Sequence, residues 1–233
     1  MHARGRPRRA AMIAAVACVA VLTLSACAAD GSPASFPAPG MSTPSPAPAP
    51  IPIGVVGDSL SSGGPWDAVA VDPGSWTYYL DSRYEVTGGW RRDGATSTLM
   101  AANLQPFAAD ALVVLAGTND VATGIEPELT LENVTRIADS ADVRAVVLCA
   151  IPPYSAAPDR AAALNTALVG LARREGWTWV DPWVEARDGT AWREGATPDG
   201  IHGSLASYAQ AAERIDDAVG RALEASPEAD SAE

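Results

Sequence analysis

Three stretches of the chain are apolar at nearly every position: 51–57 (IPIGVVG), 111–117 (ALVVLAG) and 143–151 (VRAVVLCAI). A strand with one wet face alternates apolar and polar residues. A run without alternation needs cover on both faces, as strands have in a parallel sheet between two helical layers. Two shorter runs, 84–87 and 177–180, bring the candidate strands to five. Helical patterns stand between and after them, at 76–82, 97–103, 131–141, 159–174 and 205–223; in the last, Leu205, Ala209, Ala212, Ile215 and Val219 make one stripe at helical spacing. Alternating β and α elements with short connections predict an α/β fold. The expected form is a three-layer α/β/α sandwich around a five-stranded parallel sheet, one domain over 51–224.

The residues before this domain read as an address. Arg4, Arg6, Arg8 and Arg9 precede an apolar stretch over 10–24, the pattern of a secretory signal spanning 1–26. Leu24-Ser25-Ala26-Cys27 resembles the lipobox of bacterial lipoproteins. That resemblance implies cleavage before Cys27 and a lipidated sulfur, with two or more acyl chains giving stable attachment to the outer face of the membrane. The protein is then extracytoplasmic and lipid-anchored, or freely secreted if the lipobox is not used; an uncleaved N-terminal anchor is the alternative. Residues 28–50 hold seven prolines among Ala, Ser and Gly, too little apolar surface to fold, and so form an extended spacer after Cys27. Residues 225–233 are a short acidic tail.

Charge and cysteine content narrow the partners. The net charge is −12 and all 16 cations are Arg, so the chain carries no electrostatic footprint for nucleic acid. No run of about 20 apolar residues interrupts the body of the chain, which excludes a multi-span membrane protein. Of three cysteines, Cys18 leaves with the signal and Cys27 carries the anchor. Cys149 is left alone in an apolar run, the setting of a buried, inert thiol.

The chemistry sits where strands end. The first strand runs into Gly57-Asp58-Ser59-Leu60, and Asp93-Gly94-Ala95-Thr96 follows the second. The third ends in Gly117-Thr118-Asn119-Asp120, and Asp199-Gly200-Ile201-His202 precedes the last helix. In a parallel sheet all four motifs project from one rim. Together they supply the parts of an acyl-transfer site: a hydroxyl nucleophile, oxyanion donors, a base and a group to orient it. His2 and His202 are the only imidazoles, so a His-dependent mechanism in the mature chain must use His202. A carboxylate three residues before it, across a tight turn, reaches the ring and fixes its tautomer. Asp58 and Asp120 are expected to hold loops through hydrogen bonds.

These blocks resemble the SGNH hydrolases of the GDSL esterase/lipase superfamily, over essentially all of 51–224. The resemblance implies a flavodoxin-like sheet of five parallel strands and hydrolysis of carboxylic esters through an acyl-enzyme. It assigns Ser59 as nucleophile, with its own N–H as first oxyanion donor. Gly94, in DGATS, would give a second N–H, and Asn119, in GTND, a side-chain donor. Asp199 and His202 match the family's DxxH block as acid and base. Asn165 and Asp181 are weaker matches. The continuation His202-Gly203-Ser204-Leu205 departs from the family's usual one, although Tyr208 is kept.

Neither the acyl nor the alcohol group of the substrate is written in these motifs. Trp66, Trp90, Trp183 and Trp192 flank the loops. Their faces either stack on sugar rings, which with an envelope address favours acetylated carbohydrate, or pack the rim as amphipathic aromatics. No insertion resembles a lid, so the expected substrates are small carboxylic or carbohydrate esters at an open site. Acyl transfer to a glycan hydroxyl through the same acyl-enzyme is one alternative; a non-catalytic envelope-binding lipoprotein is another. Aspartates at strand ends also suit a Mg²⁺ phosphatase, which sensitivity to EDTA would reveal. The absence of a P-loop or G-x-G-x-x-G leads us to expect no nucleotide cofactor, and no metal is expected. A monomer is the expected state.

Overall fold

The computed structural model describes residues 48–62 and 73–226. The expected signal, Cys27, nearly all of the spacer, Trp66 and the tail beyond 226 lie outside the described residues. The strands are β1 (Ile51–Gly57), β2 (Tyr84–Arg91), β3 (Phe107–Ala108), β4 (Ala111–Leu115), β5 (Ala141–Asp142), β6 (Ala145–Cys149), β7 (Thr178–Val180), β8 (Arg187–Asp188) and β9 (Ala191–Trp192). The helices are α1 (Ser59–Ser62), α2 (Ser97–Asn103), α3 (Thr118–Thr123), α4 (Pro127–Asp139), α5 (Pro158–Glu175) and α6 (Leu205–Ala225), with a 3₁₀ turn at Trp76–Tyr79.

The central sheet has five strands, all parallel, in the order β2-β1-β4-β6-β7. Its faces explain the unalternating runs. Ile53, Val55, Val113, Leu115, Val147 and Cys149 face α6 and the 3₁₀ turn, whereas Val56, Leu112, Val114 and Leu148 face α2, α4 and α5. The middle of β1 and all of β4 are therefore buried, and burial pushes the Cys149 thiol at the end of β6 far above its ordinary range. From β1 the chain crosses first to one neighbour, β2, and later to the other, β4. This reversal opens a crevice at the carboxyl ends of β1 and β4, where ligands bind in sheets of this type.

Three glycines let the edge strand close up. The β1–β2 register slips between Ile53 and Gly54, so that Ile53 faces Val86 and Gly54 faces Gly88. A Cβ on Gly54 or Gly88 would lie 2.1 or 2.4 Å from the Phe107 ring, which fills the space over both. Gly89 has φ +98, and a Cβ there would meet the Val55 carbonyl at 2.1 Å. The slip sets Trp90 and Arg91 beside Val56 and Gly57, so the loop after β2 begins next to the loop after β1.

The structure differs from expectation mainly in small elements. The segment expected as a helix over 76–82 is a 3₁₀ turn capped by Ser75, whose hydroxyl accepts the Thr77 N–H at 3.2 Å. α4 starts four residues earlier than its apolar pattern, because Pro127 suits the first turn of a helix without adding to the stripe. α3, β3, β5 and the β8–β9 hairpin have six or two residues each, too few to display a period.

Gly89→Ala should lose about 3 kcal/mol or more, since it adds a backbone clash to left-handed strain. Gly124→Ala, at φ +80 with nothing within 4 Å of the added carbon, should lose only about 1 kcal/mol. Urea midpoints of the two variants measure the difference.

Candidate active site

Ser59 opens α1 immediately beyond β1. Gly57 permits the turn, because a Cβ there would sit 2.4 Å from Ser61 Oγ. The Asp58 carbonyl accepts the N–H groups of Ser61 and Ser62 at 3.0 and 2.9 Å, closing α1 as a single turn. Ser61 in turn is pinned from the 3₁₀ segment: Trp76 Nε1 donates to its hydroxyl at 2.9 Å and the Thr77 hydroxyl to its carbonyl at 3.0 Å.

Although 143 residues separate them, Ser59 Oγ and His202 Nε2 are 2.9 Å apart. His202 Nδ1 lies 2.7 Å from Asp199 Oδ2. Because a carboxylate only accepts, the ring carries its proton on Nδ1, which leaves the Nε2 lone pair facing the serine hydroxyl. The other oxygen, Asp199 Oδ1, accepts the N–H groups of Ile201 and His202 at 2.9 and 2.8 Å. One side chain thus builds the turn and orients the ring within it. Burial pushes the Asp199 carboxyl up, but the His202 ring and the two N–H groups outweigh it and hold the group below the ordinary aspartate range. The His202 and Asp199 side chains remain 37% and 47% exposed, so a substrate can approach.

The turn is tied to three other segments. The Gly200 carbonyl accepts Trp192 Nε1 at 3.1 Å and the Ser155 N–H at 2.9 Å. The Thr197 hydroxyl accepts the Gly200 N–H at 2.8 Å, and the Ala196 carbonyl takes Ser204 N and Ser207 Oγ, both at 2.8 Å. Trp183 is fully buried, donates to the Ala150 carbonyl at 3.0 Å and packs edge-on against Trp192 and Tyr208. For Trp183 packing is therefore the correct reading, and for Trp192 at least one edge is committed to Gly200. The weaker sequence matches also support loops. Asn165 brackets Ile151 by accepting its N–H at 2.8 Å and donating to its carbonyl at 3.0 Å, and Asp181 accepts the Trp183 N–H at 3.0 Å and pairs with Arg187 at 3.0 Å.

Gly94 lies in the loop after β2 at φ +71, and a Cβ would meet nothing within 4 Å. Among the described residues neither the Ser59 nor the Gly94 N–H donates a hydrogen bond. Asn119 differs: its Nδ2 donates to Asp58 Oδ2 and to the Ala95 carbonyl, both at 3.1 Å. The sequence motif contains the amide but does not reveal these internal partners. Asp58 is fully buried and also accepts the Leu60 N–H at 3.0 Å. Burial raises its carboxyl to about 7, with the His202 charge and the Leu60 N–H opposing and the Asp120 charge adding to the rise. Among the described residues no three His, Cys, Asp or Glu side chains are grouped to hold a metal ion.

Residues 55–210 match the model of the GDSL-like Lipase/Acylhydrolase family, and the chain belongs to this family of esterase- and lipase-type hydrolases. Solved structures with the same fold include a GDSL-like lipase from Bacteroides thetaiotaomicron (19% identity, TM-score 0.58, covering 74% of this chain and 89% of that one). A member of the lipolytic G-D-S-L family from Veillonella parvula aligns at 15% identity and TM-score 0.56, over 72% of this chain and 97% of that one. TesA aligns at 20% identity and TM-score 0.57, over 74% and 99%. No curated protein matches the chain by sequence.

The elevated Asp58 carboxyl has a signed consequence for stability. Its folded value of about 7 lies above the ordinary 3.8, so the folded state binds this proton more tightly than the unfolded chain does. The stabilisation is complete below about pH 4 and is lost as pH rises through 7. Relative to Asp58→Asn, which does not titrate, wild-type unfolding free energy should fall between pH 4 and 7 and then level. Parallel profiles in urea titrations would contradict this.

Proposed function

We propose that the chain hydrolyses small carboxylic esters, acetylated carbohydrates among them, through an acyl-enzyme on Ser59, at the outer face of the cell membrane. One observation carries the reading: the unbroken hydrogen-bonded line from Ser59 Oγ through the His202 ring to Asp199. Serine hydroxyl is a weak nucleophile until a positioned base accepts its proton. In this reading His202 Nε2 takes that proton as Oγ attacks the ester carbonyl, and Asp199 stabilises the imidazolium. The carbonyl oxygen becomes an oxyanion received by the Ser59 and Gly94 N–H groups, neither of which has another acceptor among the described residues. Asn119 joins them by exchanging the neutral Ala95 carbonyl for the charged oxygen, an acceptor that makes a bond roughly twice as strong. His202 then returns its proton to the departing alcohol, the C–O bond breaks, and the acyl group remains on Ser59. Water, activated by the same ring, releases the acid and restores the hydroxyl.

The exposure of His202 and Asp199 favours small or extended esters over deeply enclosed chains. The address rests on the signal pattern and on Cys27. Among the described residues no helix is long and apolar enough to cross a membrane.

Ser59→Ala should lower hydrolysis of p-nitrophenyl acetate by about three orders of magnitude or more with the fold intact. His202→Ala should be nearly as damaging, and the double variant no worse than either, because the two groups act as a unit. A wild-type rate in Ser59→Ala would remove the nucleophile assignment. Separately, Cys27→Ser in the full chain should shift the protein from the membrane to the soluble fraction; retention on membranes would mean an uncleaved anchor.

A further inference from the structure

Asp120 stands next to Asn119 in α3 and makes no hydrogen bond to Ser59, His202 or Asp199. It is fully buried, and its carboxylate oxygens are spent on two neighbouring helices, the start of α2 and the first turns of α4. Oδ2 accepts the Ser97 N–H at 2.8 Å, while Oδ1 accepts the Ser97 hydroxyl in a short contact and the Thr130 hydroxyl at 2.9 Å. From α4, Asn133 Nδ2 donates to the Ser97 and Thr98 hydroxyl oxygens, both at 3.0 Å, and Arg136 holds its carbonyl oxygen at 3.3 Å. Ser97 and Asn133 are as buried as Asp120 itself.

The two residues that α3 presents therefore grip a single short stretch of chain. Asn119 holds the Ala95 carbonyl and Asp120 holds Ser97, on the C-terminal side of Gly94. That glycine, at φ +71, is exposed, and a Cβ on it would meet nothing within 4 Å; the turn that carries it is closed by the Ala95 N–H on the Arg92 carbonyl at 3.1 Å, so its N–H points where residues 95–97 are held. An ionised acceptor binding an N–H and two hydroxyls makes stronger and shorter bonds than neutral groups would. Here those bonds anchor the loop that carries one free N–H to the helix that carries the amide.

We propose that Asp120 is a positioning residue for the oxyanion pocket: by clamping Ser97 to α3 it sets the spacing between the Gly94 N–H and the Asn119 amide. The proposal rests on the reading of those groups as oxyanion donors. Donors of this kind act only when about 3 Å from the developing charge, and a displacement of about 1 Å costs on the order of a hundredfold in rate. A loosened clamp should thus act on kcat and on binding of tetrahedral mimics, while ground-state binding of a small ester changes little.

The test uses the folded chain and p-nitrophenyl acetate. Asp120→Asn keeps the shape but turns one acceptor into a donor facing Ser97 or Thr130. It should lower kcat by about tenfold to a hundredfold, with KM within about twofold, and weaken inhibition by a small boronic acid in proportion to kcat/KM. Ser97→Ala, which removes one hydroxyl and keeps the N–H, should give a smaller loss of the same kind and carries the test alone if Asp120→Asn does not fold. In an Asn119→Ala background either substitution should cost less than it does alone. An unchanged kcat in the folded variants, a loss confined to KM, or full additivity with Asn119→Ala would overturn the proposal. Ser59→Ala in the same assay separates the two claims. If turnover survives that substitution, the serine mechanism itself fails; if turnover is abolished while the Asp120 and Ser97 variants are normal, only the clamp is wrong.

Discussion

Asp199 spends its two carboxylate oxygens on different tasks, and the rest of the site depends on that division. Oδ1 gathers the N–H groups of Ile201 and His202 into a turn, and Oδ2 holds Nδ1 of the ring that the turn presents. A three-residue spacing between acid and histidine suffices because the carboxylate folds the intervening backbone itself. Gly200, at φ +83, completes the turn, and its carbonyl is held by Trp192 and Ser155, so the ring is aimed by segments far apart in the chain. The result is an Nε2 that meets Ser59 without help from the substrate.

The sheet does the long-range work. Parallel strands send their successive ends to one edge, and the reversal of strand order at β1, with β2 on one side and β4 on the other, leaves room there. Ser59 follows β1, Gly94 follows β2 and Asn119 follows β4, so a serine, a bare N–H and an amide converge. Glycine is demanded at the points of closest approach: Gly54 and Gly88 under Phe107, Gly89 against Val55 and Gly57 against Ser61. Below the rim, fully buried carboxylates take over. Asp58 holds the first residues of α1 and the Asn119 amide, and Asp120 holds Ser97.

Much of this arrangement was legible from sequence, and the reasons are specific. Buried parallel strands announce themselves as unbroken apolar runs, and β1 and α2 have the bounds their patterns predict. Ser59, Gly94, Asn119, Asp199 and His202 could be named because each stands in a short motif beside a strand end or the last helix. What could not be read was anything decided by contacts across the chain. The two partners of the Asn119 amide, the burial of Asp58 that raises its carboxyl, and the Trp192 bond to Gly200 depend on residues 24, 61 or 8 positions away. Trp183 illustrates the limit: an indole in a loop sequence is equally suited to stacking on sugar and to the core, and only packing against Tyr208 and Trp192 decides it.

The most direct measurement is the mass of the protein after exposure to a small alkyl phosphonate ester carrying a p-nitrophenolate leaving group. Activated serine attacks phosphorus and expels nitrophenolate, and the product cannot proceed as an acyl-enzyme does. The account predicts a single adduct, on the peptide containing Ser59, forming with release of one equivalent of nitrophenolate and slowed strongly in His202→Ala. An unmodified Ser59 in the folded protein, or an adduct that forms equally fast without the imidazole, would contradict it.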